Sequence, residues 1–154
     1  MDVSFERLES FIVEAKAVTY VGDGEKSPSS RPKSVDLRYA AGEFAYHDTY
    51  FGDADFVGEE VVTFRGQPVW AMNYYGRILE PALITPAEVG KILKEGLTAM
   101  YREGRFLGGF EHDTGSGVYV DTSEGDARAF GGKEWITREG VTVYQLVYHG
   151  GLIR

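Results

Sequence analysis

Three histidines, His47, His112 and His149, and a scatter of carboxylates are the side chains with which this chain could do metal or acid–base chemistry. His47 beside Asp48, and the run Glu111-His112-Asp113, offer nitrogen and oxygen donors of the kind zinc accepts. Adjacent residues of a strand point to opposite faces, however, so neither run presents its donors together, and no metal site and no cofactor are expected. Asp113-Thr-Gly-Ser-Gly117 spells the aspartic-protease signature. That chemistry needs two carboxylates sharing one proton, with the aspartate closing an apolar strand, whereas Glu111 and His112 precede it here. A turn rich in Asp, Gly and Ser accounts for the segment. Gly22-Asp-Gly24 with Lys26 lacks the Gly-Lys-Ser/Thr ending of a phosphate loop. With no cysteine, disulfides, thiolate nucleophiles and cysteine-based metal sites are excluded.

The elements that must position any site are legible from periodicity. Phe5, Leu8, Phe11, Ile12 and Ala15 form a helical stripe, which predicts a helix from Ser4 to about Ala17, capped by Asp2 or Ser4. Residues 22–33 are polar and rich in Gly, Ser and Pro, and read as a mobile loop. Thr85-Pro-Ala-Glu88 is a capping box with proline at the first helical position, followed by the stripe Val89, Ile92, Leu93, Leu97 and Met100. Gly90 and Gly96 weaken this second helix by about 1 kcal/mol each relative to alanine, so packing must hold it.

The remainder alternates like antiparallel strands between glycine turns, and it repeats. Tyr46–Ala54 matches Tyr119–Ala127 at six of nine positions, and Phe56–Leu79 matches Phe130–Ile153 at eight of 24 without a gap. Average residue usage would give about 2 identities over both stretches. The fold class expected is therefore α+β: two pseudo-twofold-related units, each a helix plus four antiparallel strands, within a single domain spanning 1–154. Unit 1 covers about 1–80 and unit 2 about 81–154, with the sheets joined edge to edge or face to face and both helices on one side. Expected strands lie near Val35–Tyr39, Glu43–Phe51, Phe56–Arg65 and Pro68–Arg77, and near Leu107–His112, Gly117–Thr122, Phe130–Arg138 and Val141–Ile153.

The repeat sorts the polar residues. Trp70, Met72 and Tyr74 align with Tyr144, Leu146 and Tyr148 on an apolar face suited to the core. The opposite face is mixed, and a cleft is expected there, between the units. Matched acids such as Asp48/Asp121 and Asp53/Asp126 are read as turn or backbone-bonding residues of the shared fold. Positions that differ between the copies are the functional candidates: Asn73, Tyr75, Arg77 and His149, with Tyr50 nearby, as a ligand-binding set.

Composition narrows the partners. At 43% hydrophobic and 14% aromatic the chain is a folded protein, and a net charge of −8 without a Lys/Arg run argues against nucleic acid and anionic membranes. No apolar run reaches the roughly 20 residues of a membrane span, and the charged N-terminus is no signal peptide, so a cytoplasmic location is expected. Ser-Ser-Arg-Pro (29–32), Asp48-Thr-Tyr-Phe-Gly52, Trp70-Ala-Met-Asn-Tyr-Tyr-Gly-Arg77 and Tyr148-His-Gly-Gly-Leu-Ile153 resemble an uncharacterised bacterial and archaeal family, the domain of unknown function 5680. Its members occur alone or behind Cro/C1-type helix-turn-helix domains, so the resemblance implies an accessory or sensor domain and supplies no catalytic residues. The function expected is binding of a small molecule or a protein partner. A small hydrolase or isomerase, using an Asp or Glu with His149 or Tyr75, and a homo-oligomerisation module (a homodimer at its simplest) stay open.

Overall fold

A computed structural model describes residues 4–154. The first helix, α1 (Phe5–Val18), starts where Ser4 Oγ accepts from the Arg7 amide, and it buries Leu8, Phe11, Ile12, Ala15 and, on the same stripe, Lys16. The alternative cap, Asp2, lies outside the described residues. The second helix, α2 (Pro86–Tyr101), has the full reciprocal capping box between Thr85 and Glu88. Gly96 faces Tyr119 so closely that a Cβ would stand 2.6 Å from the ring, so its helix-weakening backbone is what lets α2 sit down on the sheet.

All the strands form one antiparallel sheet. In chain order they are β1 (Lys26–Ser27), β2 (Val35–Ala41), β3 (Phe44–Gly52), β4 (Asp55–Phe64), β5 (Gln67–Ile78), β6 (Phe110–Asp113), β7 (Val118–Asp126), β8 (Ala129–Arg138) and β9 (Val141–Leu152). Their spatial order is β1-β2-β3-β4-β5-β9-β8-β7-β6. The two long strands β5 and β9 are the seam, joined edge to edge with Tyr74 opposite Tyr148. Bulges interrupt the register at Val62/Thr63 and at Ile136/Thr137.

Two sequence expectations change. The strand expected from Leu107 begins only at Phe110, because Gly108 and Gly109 both adopt positive φ and break the extended run. Residues 22–33, expected as a mobile loop, contain β1, which pairs with β2, and Ser29 Oγ bonds the Ser34 carbonyl at 2.5 Å. Polar composition here encodes local hydrogen bonding that ties the loop to the sheet.

Strand alternation places Phe44, Tyr46, Val62, Phe64, Trp70 and Met72 in one hydrophobic cluster with Tyr119, Ile136, Tyr144, Leu146 and Tyr148, under both helices. Phe11 stacks on Phe44 at 4.8 Å, and Trp70 stacks on Phe130 at 5.8 Å. The Trp70 indole donates to the Ala127 carbonyl at 3.1 Å, so this large apolar side chain is buried without losing its hydrogen bond. The opposite face of the seam is open and carries exposed Val57, Tyr75 and Val147. Among the described residues, no helix is long and apolar enough to cross a membrane.

Candidate functional site

The helix-covered face is not filled. A cavity of about 350 Å³ lies between the helices and the sheet, and four buried carboxyl groups line it: Asp48, Glu60, Asp121 and Glu134. Asp48 of β3 is the cross-strand neighbour of Glu60 of β4, and Asp121 of β7 is the neighbour of Glu134 of β8. Each acid sits at an inward position of its strand, where an apolar residue would continue the core. Tyrosines answer them. Tyr74 donates to Asp48 at 2.6 Å, Tyr148 to Asp121 at 2.8 Å, and Tyr119 to Glu134 at 2.7 Å. Gly58 and Gly132 make the first two bonds accessible, since a Cβ at either would stand less than 3 Å from the Tyr74 or Tyr148 ring crossing over it.

Lys16 breaks this pattern. Its ammonium bonds Glu60 at 2.6 Å and lies 5.4 Å from the Phe106 ring centroid and 5.9 Å from that of Trp70. The hydroxyl of Tyr46, which sits beside Glu60 much as Tyr119 sits beside Glu134, is buried without a hydrogen-bond partner among the described residues. The second orphan is Asp121 Oδ1, whose partner oxygen takes the bond from Tyr148. Both residues line the cavity. A buried polar atom left unpaired costs about 1–3 kcal/mol, so two at one cavity mark a place where the protein's own bonding is incomplete.

Burial, with the charge of Glu60 behind it, pushes the Asp48 carboxyl up to about 7 against the Tyr74 hydrogen bond and Lys16. Burial raises Asp121 to about 6, and burial with the charge of Asp121 raises Glu134 to about 7. Between about pH 4 and 6 these groups therefore hold protons that water would remove, and a cation or a hydrogen-bond donor placed among them would release those protons. Among the described residues, no three His, Asp or Glu side chains come together as a metal-ion site.

A family model described as a domain of unknown function, DUF5680, matches residues 48–153, more than half of the chain. The chain belongs to that family. The DUF5680 match includes all four cavity carboxyls and begins after α1, which contributes Lys16. No curated protein and no solved structure matches the chain.

Of the ligand-binding residues expected from sequence, only Tyr50 lines the DUF5680 cavity. Asn73 and His149 are brought together, directly opposite each other across the β5–β9 seam, and Tyr75 and Arg77 follow along β5. All four are exposed and lie on the open face, with the sheet between them and the cavity. The cleft expected on the mixed face is found on the apolar one, because both helices cover that face and leave space beneath them. His149 and Tyr75 consequently have no access to the cavity acids with which an enzyme reading would pair them. Asp48 and Asp121, expected to bond backbone amides, accept tyrosine hydroxyls instead. Asp126 does accept from the Arg128 amide at 2.8 Å, and Asp113 caps a turn through the Gly115 amide, so Asp113-Thr-Gly-Ser is a hairpin.

The open face has its own buried acid. Asp36 accepts from Ser30 at 2.6 Å and Ser34 at 2.5 Å and lies 2.5 Å from His47 Nε2. Burial pushes this carboxyl up, but those hydrogen bonds outweigh it and hold the group well below the ordinary carboxylate range. The cavity residues that sequence reasoning missed, or read as structural in the case of Asp48 and Asp121, were signalled by pattern: Lys16 continues an apolar helical stripe, and the four acids occupy inward strand positions.

Proposed function

We propose that this domain binds a small molecule in the cavity between the helices and the seam of the sheet. The observation that carries this is the pair of unpartnered buried polar atoms, the Tyr46 hydroxyl and Asp121 Oδ1, at one solvent-reaching cavity. Gly90 supports it. This residue lines the cavity from α2, it costs the helix about 1 kcal/mol against alanine, and a Cβ there would meet no atom within 4 Å. No contact within the protein calls for a glycine at that position, whereas space for a guest does. The two units read from the sequence fit the same picture as an internal duplication. Matched pairs Asp48/Asp121, Glu60/Glu134, Gly58/Gly132 and Tyr74/Tyr148 then build the two walls, with the differences between the halves giving the site its polarity. A sensor role beside a DNA-binding partner, as the resemblance implies, would use this cavity as its input.

Gly90→Phe tests the location. A Cβ introduced there meets no atom within 4 Å, and the ring beyond it is expected to enter the cavity, so the folded state should be at least as stable as wild type. In a thermal-shift screen of neutral, cationic and anionic metabolites, compounds that raise the wild-type Tm should leave the Gly90→Phe Tm unmoved. Hits that stabilise both proteins equally would place binding elsewhere and overturn the proposal.

A further inference from the structure

The two halves of the cavity differ in charge, and the difference is traceable to the helices. Counted from the N-caps, Lys16 stands twelve residues after Ser4, and Leu97 stands twelve residues after Thr85. Lys16 brings an ammonium to Glu60, while Leu97 lines the cavity at the corresponding place on α2 and brings none. Among the described residues the four buried carboxyls thus share one buried cation, and that cation is committed to Glu60. At the cavity lining, the other basic residue is Lys26, which is exposed, as is Asp53. Among the described residues no arginine lines the cavity, so an anionic guest would find no bidentate partner and several carboxyls to repel it.

The free acceptor lies in the half whose acids have no cation bonded to them: Arg105 acts on Asp121 only at a distance, because its guanidinium is bonded to Glu103 and to the Leu107 and Gly109 carbonyls. Asp121 Oδ2 takes the Tyr148 hydroxyl, leaving Oδ1 buried and in need of a donor. The cavity that Asp121 lines is also lined by tyrosines and phenylalanines, Phe56 and Tyr101 among them, side chains whose rings attract a cation's charge and accommodate an apolar body. The protein already shows that this chemistry is stable here, because Lys16 holds its ammonium between a carboxylate and two aromatic rings. A metal ion is the poorer fit, with no three-ligand cluster among the described residues. We propose that the ligand is an organic ammonium compound with an apolar or aromatic body, its N–H donated to Asp121 Oδ1 beside Glu134. It would do in this half what Lys16 does for Glu60 in the other. This rests on the cavity being a binding site at all, and the test separates the two claims.

The probes are matched amine, alcohol and carboxylate series on shared aromatic frames, of which tryptamine, tryptophol and indole-3-acetate form one set. Thermal shift selects the frame, and isothermal titration calorimetry at pH 8 gives the affinities. The amine of the selected frame should bind roughly 10- to 100-fold more tightly than its alcohol, the margin of a charge-assisted over a neutral hydrogen bond. Asp121→Asn, which preserves shape, should erase that margin while the alcohol binds as before. Leu97→Lys, an independent variant, should supply the missing ammonium, raise the Tm and abolish amine binding. Alcohols or carboxylates binding as tightly as amines, with binding still lost in Gly90→Phe, would overturn the cation and leave the cavity as a site. Amine binding unchanged in Asp121→Asn and in Leu97→Lys would overturn the assignment to this half. If no member of any series binds wild type, both claims fall.

Discussion

Asp36 on the open face and Asp48 on the helix-covered face are both almost fully buried, and they are driven in opposite directions. Asp36 sits among donors: two serine hydroxyls and His47 supply its oxygens, and its acidity is strengthened despite burial. Asp48 sits beside another acid, Glu60, with one tyrosine hydroxyl as donor, and burial prevails. Depth alone therefore does not decide whether a carboxyl is charged; the number of donors committed to it does. The open-face network is complete in itself and reads as a structural clasp for residues 29–36. The cavity network is incomplete, and incompleteness is what a ligand site needs.

The pH dependence of stability should carry this contrast with the largest effect. Asp48, Asp121 and Glu134 have folded-state values raised to about 7, 6 and 7. Below their unfolded values of about 4 they are protonated in both states. As pH rises from there towards 7, the unfolded chain loses these protons and the folded one keeps them, so stability falls across that window. For Asp48 alone the cost is on the order of 4 kcal/mol, at about 1.4 kcal/mol per unit. Asp36 has the opposite sign, and its contribution is lost only as pH falls below about 4 towards its lowered value, so it leaves the window flat. Among the described residues no histidine lines the cavity, and burial pushes the hydroxyls of Tyr20, Tyr46, Tyr50, Tyr74, Tyr101, Tyr119, Tyr144 and Tyr148 upward, away from this range. The other charged groups acting on the acids are Lys16 and Glu60, with Arg105 acting on Asp121 and Asp36 on Asp48. Urea unfolding at pH 5 and pH 8 should find the ligand-free protein more stable at pH 5, with the difference shrinking in Asp48→Asn/Glu134→Gln. An unchanged difference in that double variant would remove these acids as its source.

A single isosteric change should next give opposite outcomes on the two faces. Asp36→Asn replaces an acceptor oxygen with a donor facing Ser30, Ser34 and His47, so it should cost about 2–3 kcal/mol. Asp48→Asn removes a charge that its surroundings oppose and should be neutral or stabilising at pH 8. Chemical denaturation of both variants at that pH checks the pair. Equal destabilisation would mean that both carboxyls are structural clasps.

Much of the architecture was legible because it rests on local or periodic signals. Both helices, their caps and every long strand follow from stripes, capping residues and glycine turns, and the apolar side of β5 and β9 follows from alternation. The location of the cavity was not legible. Alternation identifies the face of Trp70, Met72 and Tyr74 as core, but whether helices fill that face or leave space over it depends on how far Gly90 and Leu97 stand from the sheet, which is a tertiary distance. The four residues that differ between the repeated sequence stretches, with Tyr50 beside them, follow from the premise that a site breaks symmetry. The asymmetry that reaches the cavity, however, is Lys16 against Leu97, on the helices and outside the strongly repeated stretches. A lysine on a buried stripe, together with acids at inward strand positions, was the usable signal.

The smallest effect isolates one atom of the comparison. Tyr46 is buried as deeply as Tyr119, yet the Tyr119 hydroxyl has Glu134 and the Tyr46 hydroxyl has no partner among the described residues. Removing a satisfied hydroxyl and removing an orphaned one should differ in sign. Tyr119→Phe breaks a bond to a buried carboxyl and should cost about 1–2 kcal/mol. Tyr46→Phe relieves an unmet desolvation and should stabilise the ligand-free protein by about 1 kcal/mol, or about 2–4 °C in Tm for a chain of this size. In the presence of a cavity ligand the gain should shrink, because the guest supplies the partner that Tyr46 otherwise lacks. A Tyr46→Phe variant that is destabilised as much as Tyr119→Phe would mean that the Tyr46 hydroxyl is already satisfied without a ligand, and one of the two observations pointing to the cavity would be lost.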